Sequence, residues 1–204
     1  MHVAILTFDG FNEIDSLVAL HILNRIKRAD WQISIAAPSA SITSMNGVTL
    51  DSQMTLEQAN EADAVLIGSG RRTAEFVKDA ALMSRIRLDP QRQLIGAQCS
   101  GALMLAKLDL LRGVPACTDL MSKPWVVAAG VEVLNQPFHA EGNIATAGGC
   151  LASQYLAAWV LARMISVNAA REAIEYIAPV GEKEEYVARA MRAIQPYVPR
   201  AVAA

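Results

Sequence analysis

Short apolar runs alternate with helical segments along the first half of this sequence, and that alternation restricts the fold more than any other feature. Runs typical of strands occur at residues 3–8, 33–37, 64–67 and 94–98. Apolar residues at helical spacing occur at 16–27, 73–88 and 100–111. Because fully apolar strands need cover on both faces, this order indicates βαβ units and a parallel sheet. The sequence therefore predicts an α/β fold, a flavodoxin-like, doubly wound, mostly parallel sheet sandwiched by helices.

The second half of the chain continues this pattern without a linker. Strands are predicted at 131–134 and 144–147, and helices at 149–165, 169–177 and 182–194. Earlier in the chain, the Asn46-Gly47 pair between short β-like segments predicts a hairpin. No repeat or Pro/Gly/Ser-rich stretch interrupts the sequence, so residues 1–204 are expected to form a single domain.

Composition argues against several classes of function. With 53% hydrophobic residues and a net charge of −2, the chain has a large core but no basic surface for nucleic acid or anionic membranes. The longest apolar stretch, residues 151–165, is interrupted by polar residues, and the amino terminus lacks a signal-peptide pattern. We therefore expect a cytoplasmic protein. Three cysteines without Cys-x-x-Cys spacing, and the lack of a GxGxxG motif, lead us to expect no disulfide framework, no metal and no cofactor.

Cys99 lies where a predicted strand meets a predicted helix, in Gln98-Cys99-Ser100-Gly101. A sharp strand-to-helix turn presents its central side chain above the sheet and needs small neighbours, which the following residues provide. The start of a helix also favours a thiolate over a thiol. Cys99 is therefore a candidate nucleophile, and the alternative is a buried structural cysteine.

Two other strand ends carry candidate site residues. Gly70, in Gly68-Ser69-Gly70, is expected to let backbone amides approach a neighbouring site, as an oxyanion hole requires; the alternative is an ordinary turn. Arg71 could bind an anionic substrate or simply be solvated. Glu13 and Asp15 follow the first strand, and either could act as a general acid or base. Asp15 also fits the N-cap of the helix that follows.

Taken together, these strand ends resemble the ThiJ/PfpI superfamily, which has the class I glutamine-amidotransferase-like fold. The resemblance extends over nearly the whole chain. It is carried by Phe8-Asp9-Gly10-Phe11 with Asp15, Gly68–Gly70, Cys99-Ser100-Gly101 and Ala147-Gly148-Gly149. Within the superfamily the sequence is most similar to the isocyanide (isonitrile) hydratase branch.

The resemblance implies a reaction and a set of residues. It implies a cysteine-dependent hydro-lyase that hydrates an isocyanide to an N-substituted formamide through a thioimidate on Cys99. Asp15 would be the acid, and Ser100 would tune the thiol by hydrogen bonding. The backbone amides of Gly70 and Ser100 would hold developing negative charge. A homodimer acting on a small-molecule substrate is also implied.

The sequence departs from the superfamily at Asp119, which stands at the usual histidine position. A Cys–His dyad is therefore not expected, whereas hydration, whose proton donor is the acidic residue, is less affected. Glu13, Arg71 and Asp119 are the candidate substrate-binding residues. Two alternatives stay open: a glyoxalase-like or stress-response enzyme acting on small aldehydes, with Glu13 as the acid, and a non-catalytic redox-sensing dimer.

Overall fold

The computed structural model describes residues 1–199. Its strands are β1 His2–Leu6, β2 Gln32–Ala36, β3 Ser41–Thr43, β4 Thr49–Asp51, β5 Ala64–Ile67, β6 Leu94–Gln98, β7 Phe138–Glu141 and β8 Ile144–Ala147. Six of them form one sheet in the order β2-β1-β5-β6-β8-β7, in which only the β7–β8 pair is antiparallel. The predicted fold class, a flavodoxin-like, mostly parallel α/β sandwich, is confirmed.

Helices cover both faces of this sheet. They are α1 Glu13–Leu23, α2 Leu56–Ala59, α3 Thr73–Phe76, α4 Ala80–Ser84, α5 Gly101–Lys107, α6 Lys123–Ala128, α7 Ser153–Met164, α8 Val167–Ile177 and α9 Lys183–Ile194. None of the helices in residues 1–199 is long and apolar enough to cross a membrane.

The five parallel strands of the six-stranded sheet contribute side chains to two hydrophobic cores, because successive residues point to opposite faces. In β1, Val3 and Ile5 belong to the core that contains α1 and α7, with the fully buried Trp159 at its centre. Ala4 and Leu6 belong to the core that contains α2 and α5. With both faces covered in this way, the carboxyl ends of the parallel strands remain the accessible edge where a site can form.

Two predicted elements do not form as expected, a helix that is divided and a strand that does not join the sheet. The expected helix 73–88 is divided into α3 and α4, because the Asp79 side chain accepts a hydrogen bond from the Leu82 amide at 3.0 Å and starts a new helix. The expected strand 131–134 is an isolated bridge between Ala116 and Val133 rather than a member of the sheet. The segment lacks the neighbouring backbone partners that a ladder requires.

Two local features position the site. Asn46-Gly47 forms the turn of the β3–β4 hairpin, as predicted, with Gly47 at φ +92°. The expected helix 149–165 begins with a 3₁₀ turn, Cys150–Ala152, before α7. Both features lie close to α1, which begins at Glu13, three residues earlier than expected.

Candidate active site

Cys99 lies at the junction between β6 and α5. Its backbone has φ +47°, a left-handed conformation that a cysteine adopts only when its surroundings hold it there. The turn is possible because Gly101 follows, since a Cβ there would lie 2.7 Å from the carbonyl oxygen of Ile67. The structure thus has the predicted sharp turn with Cys99 at its centre, and 3% of this residue is exposed.

Asp15 lies inside the first turn of α1 rather than at its start. The N-cap is Asn12, whose side-chain oxygen accepts a hydrogen bond from the Ile14 amide at 3.1 Å. This excludes the N-cap alternative for Asp15, which is 2% exposed. A carboxylate oxygen of Asp15 and the Sγ atoms of Cys99 and Cys150 all lie within 4.8 Å of one another. The fold therefore joins residues that are 135 positions apart in the sequence, Asp15 and Cys150.

The Asp15 carboxyl group has few hydrogen-bond donors for a buried acid. Ser69 Oγ donates to Oδ2, whereas Oδ1 receives no hydrogen bond from an N–H or O–H group of residues 1–199. Burial raises the pKa of Asp15, and the hydrogen bond from Ser69 and the two nearby thiols oppose that rise only in part. A carboxyl group with a raised pKa can accept and release a proton closer to neutral pH, as general acid–base catalysis requires.

The Cys99 sulfur is buried and lies close to negatively charged side chains. Gln98 Nε2 lies 3.4 Å from Sγ, and the Gly149 backbone lowers the pKa of the thiol. Burial, together with the carboxylates of Asp15 and Asp119, nevertheless raises the pKa of the thiol far above its ordinary value. The prediction that the helix start favours the thiolate is therefore wrong, because desolvation outweighs the field of α5, which has only 7 residues. The resting group is a thiol, and a base must take its proton.

This electrostatic arrangement predicts how Cys99 reacts with an alkylating reagent. The rate at Cys99 is expected to rise about ten-fold per pH unit from pH 6 to pH 9 without a plateau, because the thiolate fraction rises by that factor below the pKa. Peptide mass spectrometry after timed alkylation of the native protein measures it. Cys117 is the internal control, since burial raises the pKa of its thiol to about 12. A plateau for Cys99 below pH 8 would contradict this account.

Ser100 and Gly70 contact each other rather than the thiol. The Gly70 amide donates to Ser100 Oγ at 3.1 Å, and the same hydroxyl lies 2.8 Å from Thr73 Oγ1. The expected hydrogen bond from Ser100 to the Cys99 thiol is therefore not made, and the Gly70 amide is already engaged. Within residues 1–199 the Ser100 amide has no acceptor, so it is the member of the predicted amide pair that is free to meet negative charge.

The candidate substrate-binding residues differ in their relation to the thiol. Glu13 accepts hydrogen bonds from Ser44 Oγ and from Asn46 Nδ2, the latter at 2.9 Å, which tie its carboxylate to the β3–β4 hairpin. Arg71 is exposed and forms no ion pair within the described part of the chain. Asp119 accepts hydrogen bonds from two amides of the turn that follows it and acts on Cys99 through its charge.

A groove of about 630 Å³ opens beside the Cys99 turn. Its walls include Thr118, Asp119, Leu120, Met121, Gly148 and Gly149. Thr118 Oγ1 donates to the Cys99 carbonyl oxygen at 2.7 Å, so this wall touches the turn itself. Gly148 is required there, because a Cβ would collide with the backbone carbonyl oxygen of Thr118. The groove can hold a small, partly apolar molecule beside the backbone of the Cys99 turn.

Sequence reasoning missed Cys150, which follows Gly148-Gly149 at the end of β8. The rule that sites form at strand ends would have found it, because strand 144–147 was predicted. Asn12, also missed, donates from Nδ2 to the Cys150 sulfur at 3.2 Å. Two thiols and a carboxylate are also donor types that zinc accepts, so any assay of this site needs a chelator control.

The comparison with protein families decides the relationship. The model of the DJ-1/PfpI family matches residues 1–163, a range that contains Asp15, Cys99 and Cys150. The chain belongs to the DJ-1/PfpI family. No curated protein matches it.

Several solved structures share the fold. The VC2308 protein is 18% identical, with a TM-score of 0.75 and coverage of 91% of this chain and 97% of that one. A cysteine-to-alanine mutant of the DJ-1 superfamily protein STM1931 from Salmonella typhimurium is 24% identical, with a TM-score of 0.74 and coverage of 86% and 97%. Oxidized Toxoplasma gondii DJ-1 is 17% identical, with a TM-score of 0.74 and coverage of 86% and 97%.

Proposed function

We propose that this DJ-1/PfpI protein is a cysteine-dependent hydro-lyase that adds water to an isocyanide and releases an N-substituted formamide. The observation that carries the proposal is the burial of the Asp15 carboxyl group and the Cys99 thiol within 4.8 Å of each other. The hydration needs one nucleophile and one group that moves protons. Cys99 and Asp15 are suited to these two tasks.

In the first step the Cys99 thiol adds across the terminal isocyanide carbon. Asp15, as carboxylate, takes the thiol proton while the sulfur bonds to that carbon, and then delivers the proton to the same carbon. The product is a thioimidate, in which the former isocyanide carbon is bonded to sulfur, hydrogen and nitrogen. The pair has the same charge before and after this step, which suits a buried site where creating a new charge is unfavourable.

In the second step water replaces the sulfur. Asp15 removes a proton from a water molecule that attacks the thioimidate carbon and passes this proton to the nitrogen. The carbon–sulfur bond then breaks, the second proton of the water moves through Asp15 to the Cys99 sulfur, and the formamide leaves. The hydrogen bond from Ser69 holds Asp15 in place during both proton transfers.

The reaction requires no histidine, which fits Asp119 at the position where relatives have one. The free Ser100 amide at the start of α5 supports negative charge that develops during either step. The groove beside Gly149 would hold the substituent on the isocyanide nitrogen, and its exposed Leu120 and Met121 favour an apolar substituent.

The proposal includes the homodimer that the resemblance implies. Ile14, Leu151 and Tyr176 are exposed around a second, largely apolar groove next to α1. A second copy of the chain covering this groove would remove those side chains from water.

A substrate panel tests the function. The chelator-treated protein is incubated at pH 7 with an alkyl isocyanide, an aryl isocyanide and methylglyoxal, and the products are identified by NMR. We expect the N-substituted formamide from an isocyanide and no lactate from methylglyoxal. Lactate without formamide would replace the hydratase proposal with the glyoxalase-like alternative, and the absence of both products would overturn catalysis on either substrate class.

The glyoxalase-like alternative assigns the acid role to Glu13. In the structure Glu13 is held by the hairpin, and Asp15 is the acid in the thiol cluster. The redox alternative has an observation of its own, the second thiol beside Cys99, and one of the similar structures is of an oxidized protein.

A further inference from the structure

A second thiol shares the site with Cys99. Cys150 begins the 3₁₀ turn after β8, and its sulfur lies within 4.8 Å of the Cys99 sulfur and of an Asp15 carboxylate oxygen. The hydration proposed above makes no use of this thiol. Cys117, the remaining cysteine, is buried and is not part of the cluster.

We propose that Cys150 is the resolving thiol of Cys99: once a hydroperoxide has oxidised Cys99 to a sulfenic acid, Cys150 closes an intramolecular disulfide with it. The disulfide protects Cys99 from irreversible oxidation and can be reduced again by a thiol. This goes beyond the proposed function and requires no turnover of an isocyanide.

The geometry allows the two sulfur atoms to meet. A disulfide bond is about 2.05 Å long, so sulfurs that lie within 4.8 Å need to approach by less than about 3 Å. The turn holds the Cys99 side, and 3% of Cys99 is exposed, whereas Cys150 is only partly buried. The more exposed Cys150 is therefore the side that moves.

The Cys150 sulfur needs a base before it can attack. Burial and the charge of Asp15 raise the pKa of this thiol, although Asn12 Nδ2 donates to the sulfur at 3.2 Å and opposes the rise. The Asp15 carboxylate is close enough to both sulfurs to remove the Cys150 proton and pass it to the departing oxygen of Cys99. One carboxyl group thus serves the two thiols.

The chemistry balances in two steps. In the first, the Cys99 sulfur bonds to one peroxide oxygen, the O–O bond breaks, and the thiol proton goes to the leaving oxygen, which gives a sulfenic acid and an alcohol or water. In the second, the Cys150 sulfur attacks the sulfenic sulfur, the S–O bond breaks, and water leaves. Two thiols lose two electrons in total, and the hydroperoxide gains them.

The test is thiol mapping of the whole protein after graded hydrogen peroxide. Samples are quenched with an alkylating reagent, digested without reduction and analysed by mass spectrometry, and a parallel set is reduced with dithiothreitol. The variants are Cys150→Ser and, as a matched control outside the cluster, Cys117→Ser. We expect the Cys99–Cys150 cross-linked peptide in the native protein and in Cys117→Ser.

In Cys150→Ser we expect Cys99 to proceed to sulfinic acid, with at least about ten-fold less Cys99 recovered by dithiothreitol than in the native protein. The proposal would be overturned if dithiothreitol recovered equal amounts of Cys99 thiol in the native protein and in Cys150→Ser. A disulfide between two chains in place of the internal one would also overturn it. The readout is the oxidation state of Cys99, so it decides this inference even if no isocyanide is hydrated. Circular dichroism of the variants shows whether each is folded before it is scored.

Discussion

Replacing Cys99 by alanine is expected to lower the rate of formamide formation at least about 1,000-fold, because the covalent route through the thioimidate is lost. Alanine removes only the sulfur and keeps the Cβ, so the left-handed turn at this position changes little. The rate is measured by following the formamide proton in NMR at saturating isocyanide.

Cys117→Ala is the matched control for this variant. Cys117 is also buried, and its side chain lies outside the Asp15 cluster. A comparable loss in both variants would indicate a general effect of removing a buried thiol rather than loss of the nucleophile. Retention of more than a tenth of the native rate by Cys99→Ala would contradict the assigned role.

Replacing Asp15 by asparagine is expected to lower the rate about 100- to 10,000-fold, the contribution of a general acid–base group. Asparagine has nearly the same shape and can still accept the hydrogen bond from Ser69, but it cannot carry the thiol proton to the isocyanide carbon. Glu13→Gln, on the same helix, is the comparison. We expect a smaller fall in rate for Glu13→Gln, and a larger one would transfer the acid role to Glu13.

The same Asp15→Asn variant is expected to be more stable than the native protein at pH 8, by about 0.5–2 kcal/mol in the free energy of unfolding. The pKa of Asp15 is raised from 3.8 in the folded protein, so the folded state binds more protons than the unfolded state above that pH. The native protein therefore loses stability as pH rises from 3.8 through the raised pKa. Urea titrations at pH 8 and pH 4 measure this, and the difference between the two proteins is expected to shrink at pH 4.

Loss of stability together with loss of activity in Asp15→Asn would indicate that Asp15 mainly holds the fold. Gain of stability with loss of activity is the pattern expected of a group that is buried for its chemistry at the expense of the free energy of folding.

Much of the fold and part of the site follow from local sequence. The sharp turn at Cys99 is predicted by residues next to it in the sequence. The apolar run 94–98 indicates the strand, and the small residues after Cys99 fit the crowded backbone of the turn. The division of 73–88 into α3 and α4 was missed because the Asp79 cap competes with helical spacing that is otherwise continuous.

Long-range contacts explain what the sequence left undecided. Spacing alone allowed either Glu13 or Asp15 to be the acid, and the fold separates them, since Ser44 and Asn46 of the hairpin hold Glu13. The pKa of Cys99 is raised by burial and by carboxylates that the fold brings together from different elements. The local sequence at the start of α5 reveals neither of these causes.

The most direct test of the account is the rate of formamide release from an isocyanide by the chelator-treated native protein, measured side by side with Cys99→Ala. We expect continuous release by the native protein and a loss of at least about 1,000-fold in the variant. Equal rates in the two samples, or no formamide from the native protein with any isocyanide of the panel, would contradict it.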